Sequence, residues 1–454
     1  MNKTKKKRHM SSTGIILVSF LILILAGSLL LSLPFSSSGG KSIPYIDALF
    51  TAASSVCVTG LVTLPVVTTF SAFGQAVILV LIQVGGLGVI AFFSIFMIAA
   101  GKKLGIGYSM LIQDSFNLNS VKGIKAFVKK IFLTSFLIEA LGALSYMTVF
   151  VKDFGARGIW ISVFNSVSAF CNAGIDIISE TSLCAYVANP VVNFTTALLI
   201  IFGGIGFIVW LDLARAFGRV KKMGKRSFSL LTVNTKIALS VTLTLIFSGG
   251  LLFFIFEYNN PLTIGALSLP DKLMASFFQS VTTRTAGFAT VPQENLTGAS
   301  ALVSILLMMI GGSPVGTAGG IKTVTVAVIA ASVISSVKQK SEVTIFNRSI
   351  SQRALNKAIA IGSTSLSIAF LSSLLLSAFS GGNTLDIVYE AVSACATVGL
   401  SRGFTSSLGS LSKVVVICTM YLGRVGPLSL AIAFNQKREN KISIKNPSEE
   451  ITVG

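Results

Sequence analysis

Four short stretches of similar sequence, each containing a glycine, recur along the chain. Their glycines are Gly60, Gly174, Gly287 and Gly399, and they return about every 113 residues, which marks an internal repeat. A cation that has lost its water needs oxygen ligands, and rings of backbone carbonyls supply them. Glycine readily adopts positive φ and so lets adjacent carbonyls turn toward one axis. The repeat therefore predicts one cation pathway lined by four loops.

The predicted filter comprises the three residues that end at each of these glycines. They are Val58, Thr59, Gly60, Asn172, Ala173, Gly174, Thr285, Ala286, Gly287, Thr397, Val398 and Gly399. The alternative is that the glycines only allow close helix packing, as small residues often do in membranes. An aromatic residue lies ten positions before each glycine. Because the register is the same four times, a ring of carbonyls is the favoured interpretation.

A glycine-rich stretch from Ile310 to Thr323 interrupts another apolar segment. Each glycine inside a helix costs about 1 kcal/mol, and Pro314 lacks the amide hydrogen that a helix needs. The stretch therefore predicts a loop that breaks the span. Irregular backbone at membrane depth is tolerated where it is buried in protein or lines a watery cavity. We expect this loop beneath the filter; a simple kink is the alternative.

Two cations, Lys322 and Arg424, lie within apolar segments. A cation at this depth is costly and finds carbonyls, an acid or water. Arg424 follows Gly399 at the distance at which a glycine follows the filter glycines of the first and third stretches. We expect Arg424 near the loop, where it either repels cations or anchors the loop through its carbonyls. An arginine that only ties helices together is the structural alternative.

The elements that must position these residues are membrane helices. Hydrophobic residues make up 52% of the 454 residues and charged residues only 11%, against about 25% charged in ordinary globular proteins. The run from Gly14 to Pro34 is long enough to cross a hydrocarbon core as a helix. It is longer than a typical signal-peptide core and lacks a clear cleavage site. The chain is therefore predicted to be an integral membrane protein.

The residue types argue against an enzyme. The five cysteines form no CxxC pair, and the single histidine, His9, lies in a basic tail. The sequence has no GxxxxGK[ST] phosphate loop and no visible set of nucleophile, base and acid. We expect no covalent cofactor and no hydrolysis in this chain. Cys57, Cys171 and Cys395 are expected to be small buried fillers, and Glu139, an acid within a predicted span, serves either packing or permeation.

The net charge of +20 is distributed in a way that argues against nucleic-acid binding. Basic residues fall in blocks at 1–13, 101–130, 212–236, 338–357 and 437–454, which the positive-inside rule explains by retention in the cytoplasm. We expect a multi-pass protein of the cell membrane with both termini cytoplasmic. A basic inner face is compatible with contacts to anionic membrane lipid or to a cytosolic partner.

The order of segments repeats between the basic blocks. An apolar span is followed by a short segment that enters the membrane and returns, the glycine stretch and a second span, such as 74–100 or 190–214. The predicted fold class is an all-α integral membrane protein with eight spanning helices, in which four helix–pore loop–helix units surround one pore with pseudo-fourfold symmetry. The predicted boundaries are a basic tail at 1–13, unit 1 at 14–100, unit 2 at 101–217, unit 3 at 218–338 with the loop 310–323, unit 4 at 339–436 and a tail at 437–454.

Several motifs resemble the Trk/Ktr/HKT superfamily of potassium transporters, most closely its KtrB-type membrane subunits. They are residues 47–54, 58–61, 83–88, 169–174, 283–288, 319–323 and 423–428, and together they cover all four units. The resemblance implies four unequal pore units, with potassium bound at the filter carbonyls. In plant relatives a serine in place of the first glycine accompanies sodium preference, so Gly60 points to potassium. Cys57 departs from the family pattern, in which a hydroxyl residue is common at this position.

The resemblance also assigns the loop 310–323 the role of a gate that obstructs the pore. The expected gate residues are Gly311, Gly312, Ser313, Gly316, Thr317, Gly319, Gly320, Lys322 and Arg424. A homodimer with one pore per protomer is implied, together with a cytosolic ring of nucleotide-binding regulatory subunits. ATP and ADP would then bind to the partner, not to this chain. The expected function is channel-like potassium uptake, with sodium dependence left open, and a coupled cation symporter that works by alternating access is the alternative.

Overall fold

The computed structural model describes residues 12–100, 105–115, 123–224 and 226–426, and the regular structure in this part of the chain is almost entirely helical. The helices are α1 (Ser12–Ser32), α2 (Tyr45–Cys57), α3 (Val66–Thr69), α4 (Ala72–Leu87), α5 (Val89–Ala99), α6 (Ile106–Ser115), α7 (Ile124–Phe154), α8 (Arg157–Cys171), α9 (Pro190–Gly204), α10 (Phe207–Met223), α11 (Arg226–Ser229), α12 (Val233–Glu257), α13 (Leu269–Thr282), α14 (Gly298–Met309), α15 (Thr323–Val337), α16 (Gln352–Phe379), α17 (Thr384–Ala396) and α18 (Ser410–Val425). A two-stranded hairpin, β1 (Thr344–Ile345) and β2 (Arg348–Ser349), connects α15 to α16. The predicted tail 437–454 and most of the tail 1–13 lie outside the described residues.

Three helices in the described part of the chain are long and apolar enough to cross a membrane alone: Gly14–Ser32, Val233–Glu257 and Gln352–Phe379. Less than a third of each of these segments is buried within the protein, so most of their apolar surface is left for lipid. Two bent helix pairs raise the number of possible spans to five. The chain is therefore an integral membrane protein. Eight spans remain a prediction, because a loop separates α14 from α15 and the description ends just after α18.

The second spans expected at 74–100 and 190–214 are both broken. α4 and α5 meet at 98°, and α9 and α10 meet at 96°. A glycine with positive φ lies at each break, Gly88 with φ 91° and Gly206 with φ 95°. At the second break the carbonyl of Pro314 occupies the place where a Cβ of Gly206 would lie. Hydropathy could not reveal these breaks, since the residues on both sides of each glycine are apolar.

Four short helices, α2, α8, α13 and α17, precede the glycine stretches. They contain 13, 15, 14 and 13 residues, about 20 Å at 1.5 Å per residue, which is too short to cross a bilayer. Each packs against the long helix before it, namely α1, α7, α12 and α16. Ion pairs hold the first turns of α2 and α17. Asp47 of α2 accepts from Lys413 at 2.5 Å, and Asp386 of α17 accepts from Arg402 at 2.6 Å.

The aromatic residues that mark the repeat anchor three of these short helices. Phe50, Phe164 and Tyr389 are fully buried. In the third unit Phe277 is only partly buried, and its neighbour Phe278 is fully buried instead. The end of α13 also differs from the other three, because Thr283 still has helical dihedral angles at its C-cap. The third unit is therefore a variant of the common pattern.

The close contact between α7 and α8 gives a test of this packing. A Cβ on Gly158 would collide with the backbone carbonyl of Phe150, so Gly158→Ala is expected to lower the free energy of unfolding by about 1–3 kcal/mol. Gly298→Ala is the matched control: nothing lies within 4 Å of its Cβ position, and its effect should stay within about 0.5 kcal/mol. Thermal unfolding of the purified protein in detergent compares the two. Equal melting temperatures would contradict the tight α7–α8 contact.

Candidate cation pathway

The four glycine stretches share a left-handed residue two positions before the glycine. These residues are Val58, Asn172, Thr285 and Thr397, with φ between 53° and 64°. After α2, α8 and α17 the next amide donates at 2.8 Å to the carbonyl five residues back, which satisfies an otherwise free carbonyl at the helix end. Left-handed β-branched residues are costly and persist where their surroundings hold them, often at functional sites.

The four glycines meet in a closed ring that follows chain order. Each also has positive φ, 97° for Gly60, 64° for Gly174, 86° for Gly287 and 96° for Gly399. A Cβ on Gly60 would lie 2.6 Å from the carbonyl oxygen of Ala173, one on Gly174 2.6 Å from that of Ala286, and one on Gly287 2.5 Å from that of Val398. A Cβ on Gly399 would be closer still to the carbonyl oxygen of Thr59, which closes the ring.

The ring is therefore built from backbone atoms, without room for side chains between the glycines. The carbonyl before each glycine lies against the glycine of a neighbouring stretch. The short helices end three to five residues before these glycines, so the negative ends of their dipoles lie next to the glycine stretches. An array of carbonyl oxygens and negative dipole ends favours a cation. The ring thus has the chemistry of a dehydrated cation site.

Serine side chains support two of the four stretches in the same way, and the sequence analysis missed them. The hydroxyl of Ser54 accepts the Gly60 amide at 3.0 Å, and that of Ser393 accepts the Gly399 amide at 3.1 Å. In the third unit the hydroxyl of Thr282 instead donates to the carbonyl of Phe288 at 2.6 Å. The serine six positions before three of the four glycines is a repeat signal that could have revealed this role.

Residues 310–322 form a non-helical segment between α14 and α15, which we call the intramembrane loop. It docks on the break between α9 and α10. The amides of Ser313 and Thr317 donate to the carbonyls of Gly204 at 2.8 Å and Gly203 at 3.1 Å. In return, the amide of Phe207 donates to the carbonyl of Val315 at 2.8 Å. The bent pair of unit 2 therefore receives the loop of unit 3.

The middle of the intramembrane loop lies directly against the glycine stretches. The Gly319 amide donates to the Thr285 hydroxyl at 3.2 Å, and the Thr317 hydroxyl donates to the Phe170 carbonyl at 3.1 Å. Gly319 also approaches Thr397 so closely that a Cβ on it would collide with the hydroxyl. The loop thus touches the stretches of units 2, 3 and 4.

Glycine allows the loop backbone to fold back on itself and on unit 2. Gly311 and Gly320 lie side by side, Gly316 packs on the carbonyls of Gly203 and Gly204, and Gly312 packs on the carbonyl of Gly204. The hydroxyls of Ser313 and Thr323 lie 2.9 Å apart across the base of the loop. The predicted gate residues from Gly311 to Lys322 are therefore brought together in one compact segment.

Lys322 and Arg424, the two cations that the sequence analysis singled out, both bind carbonyls of the intramembrane loop. Arg424 donates to the Thr317 carbonyl at 2.5 Å and, on its other side, to the Gly85 carbonyl of α4 at 2.6 Å. Lys322 donates to the Ala318 carbonyl at 2.6 Å. Neither cation takes part in an ion pair among the described residues. The geometry is that of an anchor which holds the loop between α4 and α18.

The buried acid Glu139 lies away from the ring, between α4, α7 and α8. The side-chain amide of Gln83 lies 3.0 and 3.1 Å from its two carboxylate oxygens, and the Cys171 thiol lies 3.4 Å from the Gln83 carbonyl oxygen. These contacts join helices behind the glycine stretches. The sequence left open whether Glu139 serves packing or permeation, and these contacts favour packing.

A helical membrane protein in which four glycine stretches, each after a short helix, meet at a ring of carbonyls has the architecture of an ion-transport protein. The sequence matches the TrkH family, described as a cation transport protein, over residues 2–445. The chain is therefore a member of the TrkH family of cation transport proteins, a family of transporters and not of enzymes.

Individual relatives resemble the chain over nearly its whole length. The Ktr system potassium uptake protein B of Bacillus subtilis is 39% identical, with 97% of this chain and 96% of the relative covered. The potassium/sodium uptake protein NtpJ of Enterococcus hirae is 36% identical, with 100% and 99% covered. The crystal structure of TrkH from Vibrio parahaemolyticus superposes with a TM-score of 0.73 at 18% identity, covering 95% of this chain and 86% of that one, so the two share the fold.

The anchoring of the intramembrane loop can be tested by hydrogen exchange. Hydrogen bonds to charged groups contribute about 1.5–3 kcal/mol, so Arg424→Met is expected to raise amide exchange across residues 315–320 about tenfold or more. Arg402→Met is the matched control, since Arg402 bonds Asp386 and the carbonyls of Gln293 and Leu296. Mass spectrometry of both variants resolves the effect. Unchanged exchange in the loop of Arg424→Met would show that Arg424 does not hold it.

Proposed function

We propose that this protein takes up potassium across the cell membrane through a channel-like pore centred on the four-glycine ring. The observation that carries the proposal is the closed ring formed by Gly60, Gly174, Gly287 and Gly399 with the carbonyls before them. The relatives support the choice of ion, because one is named a potassium uptake protein and another a potassium/sodium uptake protein. Potassium is bound by the carbonyls of the filter stretches, and the membrane potential drives its entry at about 2.3 kcal/mol per charge per 100 mV.

In this proposal the twelve filter residues act through their backbone. Selectivity then depends on how the carbonyls are held and less on side-chain identity, so the four stretches can differ in sequence. Four units related by pseudo-fourfold symmetry, with eight spans in all and the boundaries predicted from the sequence, provide four such stretches around one axis.

The intramembrane loop acts as the gate beneath the filter. Its contacts with the stretches of units 2, 3 and 4, and its anchors at Arg424 and Lys322, hold it across the path of an ion leaving the ring. Opening requires Thr317 and Gly319 to leave their present partners. The hydrogen bonds of Arg424 to both the loop and α4 let a movement of α18 change the position of the loop. The gate is thus coupled to the helices around it.

Regulation comes from cytosolic partners. One relative is by its name a component of a Ktr system, and by analogy this chain forms a homodimer that docks a ring of nucleotide-binding subunits on its basic inner face. ATP and ADP act on that ring, while anionic lipid contacts the basic residues left free. Sodium takes part in the transport cycle, in line with the potassium/sodium uptake named for the second relative.

A coupled symporter with alternating access is the second candidate, because broken helices such as α4–α5 and α9–α10 are typical of such transporters. The ring favours a channel-like pore, since four converging segments leave no separate halves to rock about a site. Both candidates use the same cation site.

Potassium flux into liposomes that contain the purified chain tests the proposed filter. Gly60→Asp adds a side chain where even a Cβ would meet the Ala173 carbonyl at 2.6 Å, and it requires φ 97° of a non-glycine residue. If overpacking raises the free energy of the conducting ring by about 3 kcal/mol, the flux is expected to fall about 100-fold. Gly298→Ala, the open position in α14, should retain the wild-type flux. Wild-type flux in Gly60→Asp would refute the proposal.

A further inference from the structure

A small cavity lies beside the ring, between units 2 and 3. Its lining includes Asn172, Gly204, Thr242, Val281, Arg284 and Gly312. It has room for about one particle the size of a water molecule. One wall therefore belongs to a filter stretch and another to the intramembrane loop.

The side chain of Arg284 supplies the charge of this cavity. Arg284 is only 7% exposed and directly precedes the filter residue Thr285. One terminal nitrogen donates to the Thr242 hydroxyl at 3.3 Å, while Nε has no partner among the described residues. The two ion pairs among the described residues, Asp47 with Lys413 and Asp386 with Arg402, do not include Arg284. A buried guanidinium without an acidic partner is costly, so a bound negative charge would stabilise this site.

The other polar groups of the lining also favour an acceptor. The Oδ1 of Asn172 lies 2.9 Å from the Thr317 hydroxyl, and its Nδ2 has no partner among the described residues. The Thr242 hydroxyl accepts from Arg284, so its own hydrogen remains free to donate to an occupant. No carboxylate is among the lining residues. Donors and a fixed positive charge, arranged around the space of one small particle, match a monovalent anion.

We propose that this cavity binds one small monovalent anion of the size of chloride, held by Arg284 with Asn172 and Thr242. Such an anion neutralises a positive charge that would otherwise repel cations in the neighbouring ring, because charges a few ångströms apart interact strongly away from bulk water. This consequence rests on the proposed function, whereas the anion site itself does not. The site is separate from the carbonyl ring, since its ligands are side-chain donors.

Bromide tests the anion site, because it replaces chloride and scatters anomalously. Crystals of the full-length protein grown with bromide as the only halide should show an anomalous peak within about 3.5 Å of the Arg284 side-chain nitrogens, the reach of a hydrogen bond to a large anion. Arg284→Gln should lose the peak. Arg402→Gln, which removes an ion-paired arginine elsewhere, should retain it.

Thr242→Val provides a second variant that keeps the charge and the shape of the site. It removes one donor and should lower the anomalous peak at subsaturating bromide without abolishing it. An unmodified protein with only a water molecule in the cavity, or a bromide peak that persists in Arg284→Gln, would overturn the anion site. Because bromide density is observed without transport, the two proposals fail separately: a chain that binds bromide but carries no potassium contradicts only the proposed function.

Discussion

The contact between the backbones of four glycine stretches is the constraint on which the rest of this structure depends. Each glycine lies so close to the carbonyl before the next glycine that no Cβ fits at any of the four positions. Four short helices must therefore end at one point inside the protein, and the long helices α1, α7, α12 and α16 must stand behind them. The burial of Phe50, Phe164 and Tyr389 and the ion pairs at the starts of α2 and α17 hold the short helices at the required depth.

The four glycine stretches make similar contacts at the ring, whereas the intramembrane loop beside the ring contacts each unit differently. The intramembrane loop comes from unit 3 alone, it docks on the bent helix pair of unit 2, and Arg424 of unit 4 ties it to α4 of unit 1. Every unit thus contributes to this layer in a different way. In the proposed function, four similar backbone contacts suit ion selection, for which all ligands act alike, whereas a single loop with a few polar anchors suits a gate that has two positions.

Part of this arrangement follows from the sequence and part does not. The spacing of the glycines identified the stretches that meet, and the glycines with Pro314 identified the segment between α14 and α15 that is not helical. The family follows from the same motifs. The breaks at Gly88 and Gly206 escaped prediction because hydropathy is continuous across them. The partners of Arg424 and the cavity around Arg284 depend on contacts between residues far apart in sequence, which spacing within one segment cannot reveal.

The central claim is that the carbonyls before the four glycines bind a dehydrated potassium ion. Anomalous diffraction from crystals of the full-length protein grown with rubidium in place of potassium tests it most directly. The account predicts a rubidium peak inside the ring, at about equal distances from the carbonyl oxygens of Thr59, Ala173, Ala286 and Val398, since backbone carbonyls replace the hydration shell of the ion. A ring without rubidium, with the cation bound only at side chains elsewhere in the membrane, would contradict it.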